Sequence, residues 1–176
     1  MLWSRVGHTA ALLPDGKVLI AGGDMGDGDG GTIIAEHYDP TTGAFTKTGD
    51  MTLGREQHTA TLLPDGSVVF AGGHLVFDLA ASAEIYDPIT GAFARTASLT
   101  YARELHTATL LNDGRVLIAG GGGLMELYDP ATGIFSTVAG SQSASRLSSA
   151  ATLRQNGKVL IAGGTASPAG ARVYQP

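Results

Sequence analysis

Three histidines and four arginines are the residues of this chain best placed to do chemistry, and their spacing is regular. His8, His58 and His106 each precede Thr-Ala-(Ala or Thr)-Leu-Leu, and Arg5, Arg55 and Arg103 each stand three residues before the histidine. Arg146 holds the same place in a fourth copy, where Ser149 replaces the histidine. Imidazoles converging from equivalent positions would suit a metal ion. A ring of guanidiniums would hold carboxylates through paired hydrogen bonds. Each has a structural counterpart: a histidine that hydrogen-bonds one repeat to the next, and an arginine that pairs with Glu36, Glu84 or Glu126 of its own repeat. Arg172 occupies that Glu position in the fourth copy, which leaves Arg146 without an in-register acid. Asp24, Asp27 and Asp29, in a Gly-rich loop, are a weaker constellation; their oxygens suit Ca²⁺, but the spacing is not that of an EF-hand.

These residues need a scaffold that repeats. Gly pairs end four similar segments, at Gly22-Gly23, Gly72-Gly73, Gly120-Gly121 and Gly163-Gly164. The copies are offset by 50, 48 and 43 residues, a period that signals stacked or radial units. Each unit reads as four short strands. The first meets an apolar second strand across Asp-Gly, or Asn-Gly in the fourth copy, which is a strong hairpin signal. The third runs to Tyr-Asp-Pro, and the fourth alternates as a half-exposed edge does. An apolar second strand implies cover on both faces. Four-stranded units at this period describe an all-β protein built of β-propeller blades, at approximately 5–50, 51–99, 100–142 and 143–176. The last unit has no outer strand. Nearly all length variation falls between the second and third strands, on the end that also carries the arginines.

Arg-x-x-His-Thr-Ala, Pro-Asp-Gly-Lys-Val-Leu-Ile-Ala-Gly-Gly, Ala-Glu-x-Tyr-Asp-Pro and Thr-Gly-x-Phe together resemble Kelch repeats, most closely those of bacterial Kelch proteins and of the galactose oxidase propeller. The resemblance spans nearly the whole chain. It implies a propeller whose first strands line a central channel, with Arg5, Arg55, Arg103, Arg146, His8, His58 and His106 at one mouth. In galactose oxidase a histidine at this place binds copper after a tyrosine ligand. Here Gly7, Gln57 and Leu105 precede the histidines, and the chain has no Cys to form that enzyme's thioether-linked Tyr. Copper-radical chemistry is therefore excluded, and no cofactor is expected.

Composition narrows the partners. Of 176 residues 26 are Gly, and the net charge of −5 argues against a nucleic-acid groove or an anionic membrane surface. No apolar run approaches the ~18 residues of a membrane span. Met1 to Arg5 carries no signal-type apolar core. The reading that follows is a Kelch-type binding module whose ligand, at the Arg/His-lined mouth, is a protein segment, a small polar or acidic molecule, or a sugar. A sugar-active enzyme and a purely architectural repeat fragment are the alternatives. Four open blades would expose apolar flanks, so a homodimer completing a ring, or a longer chain, is expected.

Overall fold

A computed structural model describes residues 1–26, 30–141, 146–165 and 170–176. The described residues form four antiparallel sheets and no helix. The first sheet contains β1 (Thr9–Leu12), β2 (Val18–Ala21), β3 (Ala35–Asp39) and β4 (Ala44–Lys47). The second contains β5 (Thr59–Leu62), β6 (Val68–Ala71), β7 (Ala83–Asp87) and β8 (Ala92–Arg95). In the third are β9 (Thr107–Leu110), β10 (Val116–Ala119), β11 (Glu126–Asp129) and β12 (Ile134–Thr137). The fourth has three strands, β13 (Ser149–Leu153), β14 (Val159–Gly163) and β15 (Ala171–Tyr174). Strand order follows the chain in every sheet, so each connection is a hairpin. No helix of the described residues is long and apolar enough to cross a membrane.

Local chemistry fixes these hairpins. Asp15, Asp65, Asp113 and Asn156 each accept the backbone N–H two residues on, and the intervening Gly16, Gly66, Gly114 and Gly157 sit at φ of 85°, 89°, 87° and 78°. An Asx turn closed by a residue in the left-handed region is the conformation that Asp-Gly and Asn-Gly favour. β6 and β10 are buried along their whole length, as apolar second strands should be. The third strand starts at Ala35, later than the Ile33 its apolar run suggests. The carbonyl of Ile34 serves both the Gly22 N–H and the Arg5 side chain, which ends the regular ladder there.

Sheets pack face to face in chain order: β1 on β5, β5 on β9 and β9 on β13. Three apolar clusters fill the gaps. The first joins Ala11, Leu13, Leu19 and Ala21 to Val68, Phe70 and Tyr86; the second centres on Val69, Val116, Ile118 and Tyr128, and the third on Leu117, Val159 and Ile161. Strand alternation decides the faces: Ala60 and Leu62 look back to the first sheet, while Leu63 looks on to the third. Tyr86 adds a polar tie, its hydroxyl lying 2.8 Å from Thr48 Oγ1 and 2.7 Å from His37 Nε2 of the first sheet.

Candidate functional site

The arginines sit in the segments that enter each sheet, and their heads turn inward. Arg5 donates from Nη1 to the carbonyls of Gly22 (2.9 Å) and Ile34 (2.7 Å), and from Nη2 to Glu36 Oε1 (2.6 Å). Arg55 repeats this with Gly72 O (2.7 Å), Ser82 O (2.9 Å) and Glu84 (2.8 Å). Arg103 does so with Gly120 O (2.8 Å), Leu124 O (2.7 Å) and Glu126 (2.7 Å). Both side chains of all three ion pairs have 0% exposure. Each arginine thus ties the start of its own unit to the loop between the second and third strands. Arg146 keeps the two carbonyl contacts, to Gly163 and Gly170, and forms no ion pair among the described residues.

The glutamates have a second duty, which no residue type or spacing signals. Glu36 accepts the N–H of Leu2; Glu84 those of Thr52 and Leu53; Glu126 those of Thr100 and Tyr101. One buried carboxylate therefore answers both a guanidinium and the backbone of the incoming segment. Burial lowers the pKa of Arg55 and Arg103, and Glu84 and Glu126 oppose that shift. The guanidiniums of Arg5, Arg55 and Arg103 are thus engaged and enclosed within their own units.

Two of the three histidines, His58 and His106, are joints between sheets. His58 Nε2 lies 2.8 Å from Thr9 Oγ1 of the first sheet, and His106 Nε2 2.9 Å from Thr59 Oγ1 of the second. At these two joints the first Gly of the pair clears the space for the ring: a Cβ on Gly22 would lie 2.6 Å from His58 Cε1, and one on Gly72 2.8 Å from His106 Cε1. The second Gly donates across the same joint, from Gly23 to Arg55 O (2.9 Å), Gly73 to Arg103 O (2.7 Å) and Gly121 to Arg146 O (3.0 Å). The residue before each histidine position is left-handed: Gly7, Gln57, Leu105 and Ser148, at φ of 66°, 54°, 50° and 58°. Their peptides form a belt, Gln57 N–H to Gly7 O, Leu105 N–H to Gln57 O and Ser148 N–H to Leu105 O. Only Gly7 hinted at this conformation in the sequence. Among the described residues no three His, Asp or Glu are grouped to hold a metal ion. Asp24 Oδ1 accepts the N–H of Gly26 at 2.8 Å, while Asp27 and Asp29 lie outside the described residues.

Burial pushes the imidazoles of His58 and His106 down to about 3, with Arg55 and Arg103 respectively adding to the shift. The unfolded chain binds a proton at each near pH 6.5, whereas the folded chain does so only near pH 3. Their contribution to stability is complete above pH 6.5 and is lost as the pH falls toward 3. Each histidine should supply a slope approaching 1.4 kcal/mol per pH unit, to order of magnitude. Urea melts at pH 7.5 and 5.5 test this, and equal midpoints would contradict neutral, buried rings.

What the staples leave at the surface is a different set of side chains. Val6, Glu56 and Glu104 follow the buried arginines and are at least partly exposed. Val6 pairs with Asp24 and Glu56 with His74 in isolated bridges, which continue to Gly31 and Leu79. The second of these extensions ends in a turn closed by Leu75 N–H to Asp78 O at 2.8 Å. Phe77, at its tip, is 91% exposed. Beside it lies a cleft of about 370 Å³ lined by Gly31, Ile33, Leu53, Gly54, Leu75 and Val76. A second cleft, of about 540 Å³, opens on the opposite, hairpin end between Pro14, Asp65, Ile85 and Ile89. Glu56 Oε1 stands 3.9 Å from His74 Nδ1.

The fold and site define an all-β protein of repeated, internally stapled antiparallel sheets. In comparisons with known proteins, no family model and no curated sequence matches the chain.

Proposed function

We propose that the four sheets are blades of a Kelch-type propeller and that the chain is an interaction module. Its binding surface is the rim formed by the loops between second and third strands. The Arg-x-x-His-Thr-Ala and Ala-Glu-x-Tyr-Asp-Pro motifs support the family. The carrying observation for the site is Phe77, 91% exposed on a backbone-anchored turn beside an apolar cleft. Ile33 and Val76, each about two-fifths exposed, join Phe77 around this cleft, and a contiguous exposed apolar patch of this kind marks a contact surface. Glu56 and Glu104 follow the buried arginines on this end of the sheets, so the polar part of the site accepts hydrogen bonds rather than donating them. The ligand class is therefore a protein segment with an apolar side chain for the cleft and basic or hydroxyl groups for the carboxylates.

The test is a titration of isotope-labelled protein, followed by amide shifts, with a lysine-rich peptide containing one aromatic residue and with its glutamate-rich counterpart. Saturable shifts at Leu75 to Leu79 and at Glu56 with the basic peptide alone, lost in Phe77→Ser and weakened about tenfold or more in Glu56→Gln/Glu104→Gln, are expected, as for loss of charge-assisted hydrogen bonds. Equal binding of the acidic peptide, or shifts confined to the hairpin end, would overturn the assignment. Turnover of a sugar that depends on Glu56 and His74 would favour the enzyme reading instead.

A further inference from the structure

The two outermost sheet faces carry the two unfilled halves of one joint. At each internal joint the later sheet offers an N–H from the residue before the histidine position and the carbonyl of its arginine. At the first two joints it adds a histidine ring, which Ser149 replaces at the third, its hydroxyl without a hydrogen-bond partner among the described residues. The earlier sheet answers with a bare Gly, a carbonyl and the N–H of the second Gly. The first sheet has the later-sheet set unused. Among the described residues no threonine hydroxyl answers His8 as Thr9 answers His58 and Thr59 answers His106, and the Gly7 N–H and the Arg5 carbonyl have no backbone hydrogen-bond partner. The fourth sheet has the earlier-sheet set unused, in the Ser148 carbonyl, the Gly164 N–H and Gly163, whose absent Cβ would meet nothing within 4 Å.

The apolar surfaces tell the same story. Ala60, Leu62, Val68, Phe70, Tyr86 and Phe93 pack against the first sheet. Their equivalents on the free face of the first sheet are Ala10, Leu12, Val18, Ile20, Tyr38 and Phe45, of which Leu12 is 63% exposed. The free face of the fourth sheet offers Leu160 and Ala162, but also Ala150, Thr152 and Arg154, where the first sheet has Thr9, Ala11 and Leu13. Donors match acceptors only when one free face meets the other, so the contact is head to tail rather than like on like.

We propose that two copies of this chain join head to tail, the fourth sheet of each seated on the first sheet of the other, closing a ring of twice four sheets. The joint is looser than the internal ones, because Ala150 removes the hydroxyl that would meet His8 and Arg154 stands where a leucine packs. This inference is independent of what binds the rim.

Sedimentation equilibrium across a dilution series tests it. The wild-type chain should reach twice 17.9 kDa and stop there, while Leu12→Lys and Thr152→Arg, one on each face, should stay at 17.9 kDa with unchanged strand spectra. If Leu12→Lys fails to fold, Thr152→Arg decides. Ala150→Thr restores the missing hydroxyl at both joints of the ring and should tighten the dimer about 25-fold, the value of two ordinary hydrogen bonds at about fivefold each. A wild-type monomer throughout, polymers without an end point, or a dimer indifferent to both variants would each overturn the proposal.

Discussion

Glu84→Ala should cost about 3–5 kcal/mol of folding stability, as expected when one partner of a buried ion pair is removed. Three donors depend on this carboxylate: Arg55 Nη2 at 2.8 Å, the Thr52 N–H at 2.6 Å and the Leu53 N–H at 3.2 Å. Both charged side chains are fully enclosed, so water cannot take the place of the lost oxygens. Arg55 would keep its bonds to Gly72 O, Ser82 O and Ser82 Oγ, but its charge would stand alone. Against a total of roughly 5–15 kcal/mol for a domain, such a loss leaves little margin. The double variant Arg55→Met/Glu84→Leu should recover only part of the loss: it removes the lone buried charge, but leaves the Thr52 and Leu53 N–H groups and the Gly72 and Ser82 carbonyls without these partners. Urea denaturation of the three proteins measures both quantities. A loss below about 1 kcal/mol for Glu84→Ala would show that the pair is solvated after all.

Gly72→Ala and Gly163→Ala occupy the same repeat position and should differ severalfold in cost. Gly72 has φ of 64°, and a Cβ there would lie 2.6 Å from the Arg103 carbonyl and 2.8 Å from His106 Cε1. The left-handed backbone alone costs an L-residue about 1–2 kcal/mol. Forcing the second and third sheets apart adds about 1–3 kcal/mol, the usual range for overpacking. Gly163 has φ of 77° and open space where its Cβ would be, so only the backbone component remains. The comparison belongs in a Leu12→Lys background, where the proposed joint between copies is absent. Equal losses at the two sites would mean that the Gly pair serves only its own turn and does not receive the next sheet.

The strand layout was legible because turn chemistry punctuates it: Asp-Gly, the Gly pairs and Asp-Pro-x-Thr-Gly mark each hairpin, and β4 occupies the Ala44–Lys47 run that its alternation indicates. The Arg–Glu pairs were legible as one of two alternatives, because in-register residues of opposite charge can be read from an alignment of repeats. What an alignment cannot supply is the direction of a side chain. Exposed arginines at a mouth and buried arginines behind it have identical spacing, and only the carbonyls of Gly22 and Ile34 distinguish them. The histidine joint was likewise one of two readings; the hydroxyl opposite it belongs to the preceding unit, and Thr9 carries no mark of that pairing. The belt through Gln57 and Leu105 was illegible for a simpler reason: both hold a conformation that their residue types rarely take. Phe77 was hidden in the loop whose length varies most, where no repeat gives it a counterpart.

The belt and the staples have a consequence for how such a chain can grow. Each Arg–Glu staple lies within one unit, as Arg5 with Glu36, and the belt links units through peptide N–H and C=O groups, which every residue but proline possesses. A duplicated unit would arrive already stapled and already able to bond on both sides, needing only compatible apolar faces to be accommodated. A deleted unit would leave matching groups opposite one another across the gap. The architecture is thus modular: each unit carries its own staple, and a loop such as the one bearing Phe77 can change without touching the staples of the others.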